Sequence, residues 1–102
     1  MPTNAPQEFQ KAVSVLVKGR VQGVGFRAFT RRHAMLLGLK GEVANLPDGA
    51  VKAHIEGSSE RVKQMLHLIK QGPSLARVEK IVVSPLKPTG RYKTFEVGLY
   101  RR

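Results

Sequence analysis

The segment GRVQGVGFR, residues 19–27, separates two stretches of the chain that follow different hydrophobic periods. Before it, valines occupy every second position of residues 13–17, which predicts a strand with one well-buried side. After it, apolar residues recur at helical spacing over residues 26–37, and Gly38 is a natural end for this helix. A strand that must turn into a helix through a glycine-rich segment restricts the fold to those with tight strand-to-helix connections.

Turn and cap residues divide the rest of the chain into further strands and one more helix. Pro47-Asp48-Gly49 lies between two short alternating runs and predicts the turn of a β-hairpin. A second helix is predicted between Ser58 or Ser59, as its N-cap, and the Gly-Pro stop at 72–73. The expected strands of this part lie at 42–46, 50–56, 76–86 and 94–100.

The resulting order is β-α-β-β-α-β with an additional or extended last strand. Two helices placed in this way cover one face of an antiparallel sheet, which predicts an α+β, ferredoxin-like sandwich. We expect residues 10–102 to form this single domain and residues 1–9, which are polar and contain two prolines, to be a flexible leader. This fold carries many unrelated functions, so the function has to be argued from a site.

Composition narrows the possible chemistry. The chain has 18 Lys and Arg residues against 7 Asp and Glu residues, a net charge of +11, and such a field attracts anions. The absence of cysteine excludes disulfides, thiolate metal sites and cysteine nucleophiles. No apolar run is long enough to span a membrane and the first ten residues lack the pattern of a secretory signal, so we expect a cytoplasmic protein.

The glycine-rich segment itself has the features of an anion site. The first N–H groups of a helix have no partner within the helix, and glycines allow the backbone to approach an anion closely. Arg27 adds a guanidinium group beside the helix dipole. The alternative is that the glycines only make a tight turn and that Arg27 is solvated. The segment matches neither the phosphate-loop pattern nor the dinucleotide-binding pattern.

Together with a second segment, this loop carries a specific resemblance. GRVQGVGFR, followed by GEVANLPDGAV at residues 41–51, resembles the two signatures of the acylphosphatase family, small enzymes that hydrolyse carboxyl-phosphate mixed anhydrides. The resemblance extends from about Val13 to Tyr100. It implies a ferredoxin-like fold and hydrolysis of acyl phosphates to carboxylate and inorganic phosphate, with no metal and no cofactor.

The resemblance also implies roles for individual residues. In that family the loop holds the phosphate with backbone amides, its arginine binds the phosphoryl oxygens, and an asparagine of the second signature orients the attacking water. By position, the arginine is Arg27 and the asparagine is Asn45. The loop amides are those of Gln22, Gly23, Val24, Gly25 and Phe26. Without the resemblance, Asn45 would be interpreted as a turn residue that bonds its own backbone.

The expected partners are a small acyl phosphate as substrate and inorganic phosphate or sulfate as a product-like anion, bound by a monomer. Two other functions are kept open. A nucleic-acid-binding module would account for the positive charge, but the six aromatic residues are not clustered on central strands and no ribonucleoprotein signature is present. A non-catalytic domain that binds acyl or carbamoyl phosphate is the other, since hydrogenase maturation carbamoyltransferases contain an acylphosphatase-like domain.

Overall fold

The computed structural model describes residues 10–98, so the expected leader and residues 99–102 lie outside the described part. The elements follow the predicted order, with an additional strand at the end. They are β1 (Gln10–Arg20), α1 (Phe26–Leu36), β2 (Lys40–Asn45), β3 (Val51–Ser58), α2 (Ser59–Gln71), β4 (Arg77–Leu86) and β5 (Phe95–Val97). Most boundaries differ from the predicted ones by one or two residues, and the last two residues of the predicted final strand, 99–100, are outside the described range.

The five strands form one sheet in the order β4-β1-β3-β2-β5. The first four strands pair antiparallel, as predicted, whereas β5 runs parallel to β2 and makes the sheet mixed. The reason is the position of β4 at the opposite edge. The chain leaves β4, crosses the width of the sheet and returns beside β2 in the same direction as β2. Alternating hydrophobicity predicts the buried side of a strand but not its neighbour.

Both helices cover the same face of the sheet and enclose the core. α1 lies against β2 and β5, and α2 lies against β1, β3 and β4. Val51, Ala53 and Ile55 alternate along β3 and are buried. Other buried members of the core come from β1, both helices and β5: Val13, Val15, Val17, Phe26, Ala34, Val62, Met65, Ile69 and Phe95. Within residues 10–98 neither helix is long and apolar enough to cross a membrane.

Glu56 fixes the connection between β4 and β5 on the helix-free face. Its carboxylate accepts the Thr89 hydroxyl at 2.7 Å and the backbone N–H groups of Thr89 and Gly90 at 3.1 Å. His54 Nε2 lies 2.6 Å from the same carboxylate. Burial alone would raise the pKa of Glu56, but the hydrogen bonds from Thr89, Gly90 and His54 outweigh burial and lower that pKa to about 2.

Candidate active site

The loop between β1 and α1 needs glycine for its backbone shape. Gly23 and Gly25 have φ angles of 75° and 80°, a left-handed conformation that costs residues with a side chain about 1–2 kcal/mol. A Cβ atom built on either glycine would meet nothing within 4 Å. The requirement for glycine is therefore conformational, and the space in front of the loop is open.

The backbone N–H groups of residues 22–26, which lead into α1, have no protein acceptor in the described part of the chain. Gly25 is the N-cap residue and makes no side-chain capping bond, and no acidic residue lies in the first turn. Among the hydrogen bonds of residues 10–98, none has a backbone N–H of residues 22–26 as its donor. These are the five amides that the sequence predicts as phosphate ligands. Gly23 and Gly25 are exposed, so these N–H groups are open to solvent and available to an anion.

The side chain of Gln22 ties this loop to the hairpin. Its Nε2 donates to the carbonyl oxygens of Leu46 and Ala50, both at 2.8 Å. These two carbonyls lie on either side of the hairpin turn, and Leu46 directly follows Asn45. The sequence predicts only a backbone role for Gln22, so this side-chain bond is not among the expected features. The available signal was an amide side chain with two donors in a glycine-rich loop, but its partners are distant in sequence.

Arg27 and Asn45 lie on the wall of one cavity of about 270 Å³. Arg27 belongs to the first turn of α1, and Asn45 is the last residue of β2. The cavity is lined by Val21, Gly23, Gly25, Phe26, Arg27, Ala28, Asn45 and Val97. The structure thus brings together the two side chains that the sequence predicts as functional, beside the glycines of the loop.

Asn45 Oδ1 is buried and has no hydrogen-bond partner within the described residues. Such an acceptor costs free energy, because buried polar side-chain atoms are nearly always bonded. The alternative interpretation of Asn45 was a turn residue whose side chain bonds its own backbone. Its Oδ1 makes no such bond. Asp48 has that role instead, since its Oδ1 accepts the N–H of Ala50 at 3.0 Å.

Positive charge dominates this cavity. Arg27 is the charged residue among those that line it, and no carboxylate is in that set. Glu42 lines a different cavity, on the helix-free face, with His54 and Tyr92. Residues 10–98 contain no cluster of three or more His, Asp or Glu side chains that could hold a metal ion. The groups available for chemistry are thus a guanidinium group, a set of N–H donors and one amide side chain.

Known proteins with this arrangement identify the family. The sequence profile of the acylphosphatases matches residues 13–97. The chain belongs to the acylphosphatase family. An acylphosphatase from Methanocella arvoryzae is 49% identical over 87 residues, which cover 85% of this chain and 98% of that protein. The crystal structure of acylphosphatase from Bacillus subtilis has a TM-score of 0.83 at 31% identity and covers 86% of this chain and 98% of that chain.

A similar domain also occurs within a much longer protein. The crystal structure of full-length HypF in the phosphate- and nucleotide-bound form has a TM-score of 0.83 at 30% identity. The match covers 91% of this chain but 12% of HypF. The assignment to the acylphosphatase family therefore rests on the acylphosphatases of similar length. They confirm the predicted fold and the predicted class of enzyme, a hydrolase whose substrate is a small acyl phosphate.

Proposed function

We propose that the protein hydrolyses acyl phosphates by direct attack of a water molecule on phosphorus. Arg27 and the amides of residues 22–26 hold the phosphoryl group, and Asn45 orients the water. One observation supports this proposal: Arg27 and Asn45, whose buried Oδ1 has no partner in the described residues, line the same cavity as the glycines of the loop.

The phosphoryl group is held by charge and by backbone geometry together. The N–H groups at the start of α1 carry the partial positive charge of the helix dipole, and the glycines allow them to converge on one anion. The Arg27 guanidinium can bind two phosphoryl oxygens at once. Inorganic phosphate and sulfate present the same oxygens, so they bind at this site as product-like anions.

Asn45 acts on the nucleophile. The water donates a hydrogen to the buried Oδ1, which aims an oxygen lone pair at phosphorus. A bond forms between this oxygen and phosphorus while the bond from phosphorus to the acyl oxygen breaks, and the electron pair of that bond leaves on the carboxylate. The water's proton passes to the phosphate product or to solvent. Asn45 thus contributes by position, with no change in its own protonation.

The leaving group explains why so few residues are sufficient. A carboxylate with a pKa of about 4 leaves without a strong general acid. The main requirement is then to stabilise the negative charge on the three equatorial phosphoryl oxygens in the transition state. Arg27 and the loop amides would provide this stabilisation. No step calls for a metal ion or a cofactor. The two side chains that the mechanism uses, Arg27 and Asn45, line one cavity of a single chain, and no step requires a second copy, so we propose a monomer.

Hydrolysis of benzoyl phosphate, measured with a chelator and no added metal, tests this mechanism. Arg27→Ala is expected to abolish both turnover and phosphate binding while circular dichroism shows an intact fold. Arg20→Ala is the matched control, because Arg20 is an exposed arginine outside the cavity lining. Equal activity of the two variants would contradict the assignment of Arg27. A folded wild type that binds phosphate without turnover would instead indicate a non-catalytic acyl phosphate domain.

A further inference from the structure

We call the cavity lined by Arg27 and Asn45 the phosphate cavity. A groove of about 550 Å³ adjoins it. It lies between the exposed side of α1 and the edge strand β5, and two residues, Ala28 and Val97, line both spaces. The remaining residues of its lining belong to α1: Arg31, Arg32, Met35 and Leu36. The groove is therefore a continuation of the site.

The lining residues of α1 form one continuous stripe. Positions 28, 31, 32, 35 and 36 are three or four residues apart, so they share one side of the helix. A helix rises about 1.5 Å per residue, and the stripe therefore runs about 12 Å from the start of α1 toward its end. A molecule whose phosphate is held at the start of α1 can extend along this stripe.

The far part of the groove is apolar and unusually exposed. Met35 is 46% exposed and Leu36 is 74% exposed, and Val97, where the groove meets the phosphate cavity, is 43% exposed. Exposed large apolar residues that lie side by side typically mark a surface that contacts a ligand. The stems of the two arginines add more apolar surface beneath their charged ends.

Two hydrogen bonds hold the walls of the groove together. Arg31 Nε donates to the carbonyl oxygen of Phe95 at 3.1 Å, which links α1 to β5. The hydroxyl of Thr94 donates to Met35 Sδ at 3.3 Å, which links the residue before β5 to the other end of the stripe. The groove thus has its shape before any ligand enters, which lowers the entropic cost of binding.

We propose that this groove is the subsite for the acyl group and that it favours acyl phosphates with an extended apolar acyl chain. The inference rests on the proposed function, since it needs the phosphate at the start of α1. Asn45 lines the cavity but not the groove. An acyl group in the groove therefore leaves the Asn45 side to the water, as attack in line with the leaving oxygen requires. The charges of Arg31 and Arg32 disfavour acyl groups that carry an ammonium.

A series of unbranched substrates tests the subsite: acetyl, butanoyl and hexanoyl phosphate. Their leaving groups have similar pKa values, so differences in kcat/KM report binding of the chain. Burial of one methylene is worth about 0.8 kcal/mol, a factor of about four. Because the groove is open on one side, we expect about a tenfold rise in kcat/KM from acetyl to hexanoyl phosphate.

The double variant Met35→Ser/Leu36→Ser is expected to remove that rise and to leave acetyl phosphate hydrolysis unchanged. Leu75→Ser is the matched control, since Leu75 is 73% exposed and lies outside the groove. If the wild type hydrolysed all three substrates equally well, the acyl subsite would be wrong but the proposed function would stand. The same conclusion would follow if the double variant kept the rise in kcat/KM from acetyl to hexanoyl phosphate. Failure to hydrolyse any member, acetyl phosphate included, would overturn the proposed function and the subsite together.

The same variants distinguish a ligand groove from an interface between copies. Light scattering at the assay concentration and at higher concentrations is expected to show the same molar mass for wild type and double variant. A wild-type dimer that the double variant abolishes would mean that a second copy covers the groove, and the acyl subsite would be wrong.

Discussion

α1 and α2 both begin where a strand of the central sheet ends, but their first N–H groups meet different partners. β3 passes directly into α2, where the Ser58 hydroxyl accepts the N–H of Arg61 at 3.3 Å and Glu60 lies in the first turn. β1 passes into α1 through residues 21–25, and Gly25 provides no side-chain cap. At the start of α2 the chain itself supplies an acceptor for a backbone N–H, whereas in the described residues it supplies none for the amides that lead into α1.

Glu56, near the end of β3, also accepts backbone N–H groups from outside the helices. Two residues before Ser58, its carboxylate accepts the N–H groups of Thr89 and Gly90 in the β4–β5 connection. The end of β3 therefore supplies two internal acceptors for backbone amides, whereas in the described part of the chain the end of β1 supplies none for residues 22–26. Glycines also make ordinary turns, so the open amides of residues 22–26 support an anion site where glycine content alone does not.

Substitution of Asn45, at the end of β2 and beside the loop that follows β1, should affect activity and leave stability intact. Asn45→Ala is expected to lower kcat by about 100-fold, a loss typical of one stabilising group in an active site. Competitive inhibition by phosphate should persist, because Asn45 contacts the water. The free energy of unfolding should not fall, since Oδ1 has no partner to lose. Steady-state kinetics with phosphate as inhibitor and urea unfolding measure the three quantities.

Gln64→Ala, which removes an exposed amide from α2, is the control for Asn45→Ala. If Asn45→Ala weakened phosphate inhibition as much as it lowered kcat, Asn45 would be a phosphate ligand. The division of roles between Asn45 and Arg27 would then be wrong.

Substitution at the β3 end should do the reverse. Glu56→Gln keeps the shape but removes the charge that four donors share, and it should lower the free energy of unfolding by about 1–3 kcal/mol near neutral pH. The pKa of Glu56 is lowered from 4.5 to about 2 in the fold, so its stabilisation is complete above about pH 4.5 and is lost as the pH falls toward 2. The difference in the free energy of unfolding between wild type and variant should therefore become smaller as the pH falls across that range.

Urea unfolding of both proteins as the pH is lowered, together with kcat/KM at neutral pH, tests this prediction. We expect kcat/KM to be unchanged, because Glu56 is not among the residues that line the phosphate cavity. A gap that stays constant from neutral pH to about pH 2 would show that the charge of Glu56 contributes nothing to stability.

The sequence predicts those features that depend on residues close together in the chain. The strand-to-helix turn with its glycines and the Ser58 cap follow from local patterns. The family signatures single out Arg27 and Asn45, and the structure places both in the lining of one cavity, while their roles stay predictions.

Other features depend on which distant segments meet. The Gln22 side chain bonds carbonyls 24 and 28 residues away, and Glu56 bonds amides 33 and 34 residues away. No local pattern encodes such pairs, because they arise only once the sheet order is set. The parallel pairing of β5 with β2 belongs to the same class.

The smallest expected effect compares the two N-caps by the same replacement with alanine. Ser58→Ala removes the acceptor of the Arg61 N–H and should cost about 1 kcal/mol of stability. Gly25→Ala should cost a similar amount, about 1 kcal/mol, because φ is 80° there. Only Gly25→Ala should also weaken phosphate binding, since relief of the strained φ would turn the loop amides away from a common point. Thermal unfolding with and without phosphate separates the two cases. A Ser58→Ala variant that lost phosphate binding as well would show that the α1 start depends on α2 packing, and the two helix starts could no longer be treated as independent.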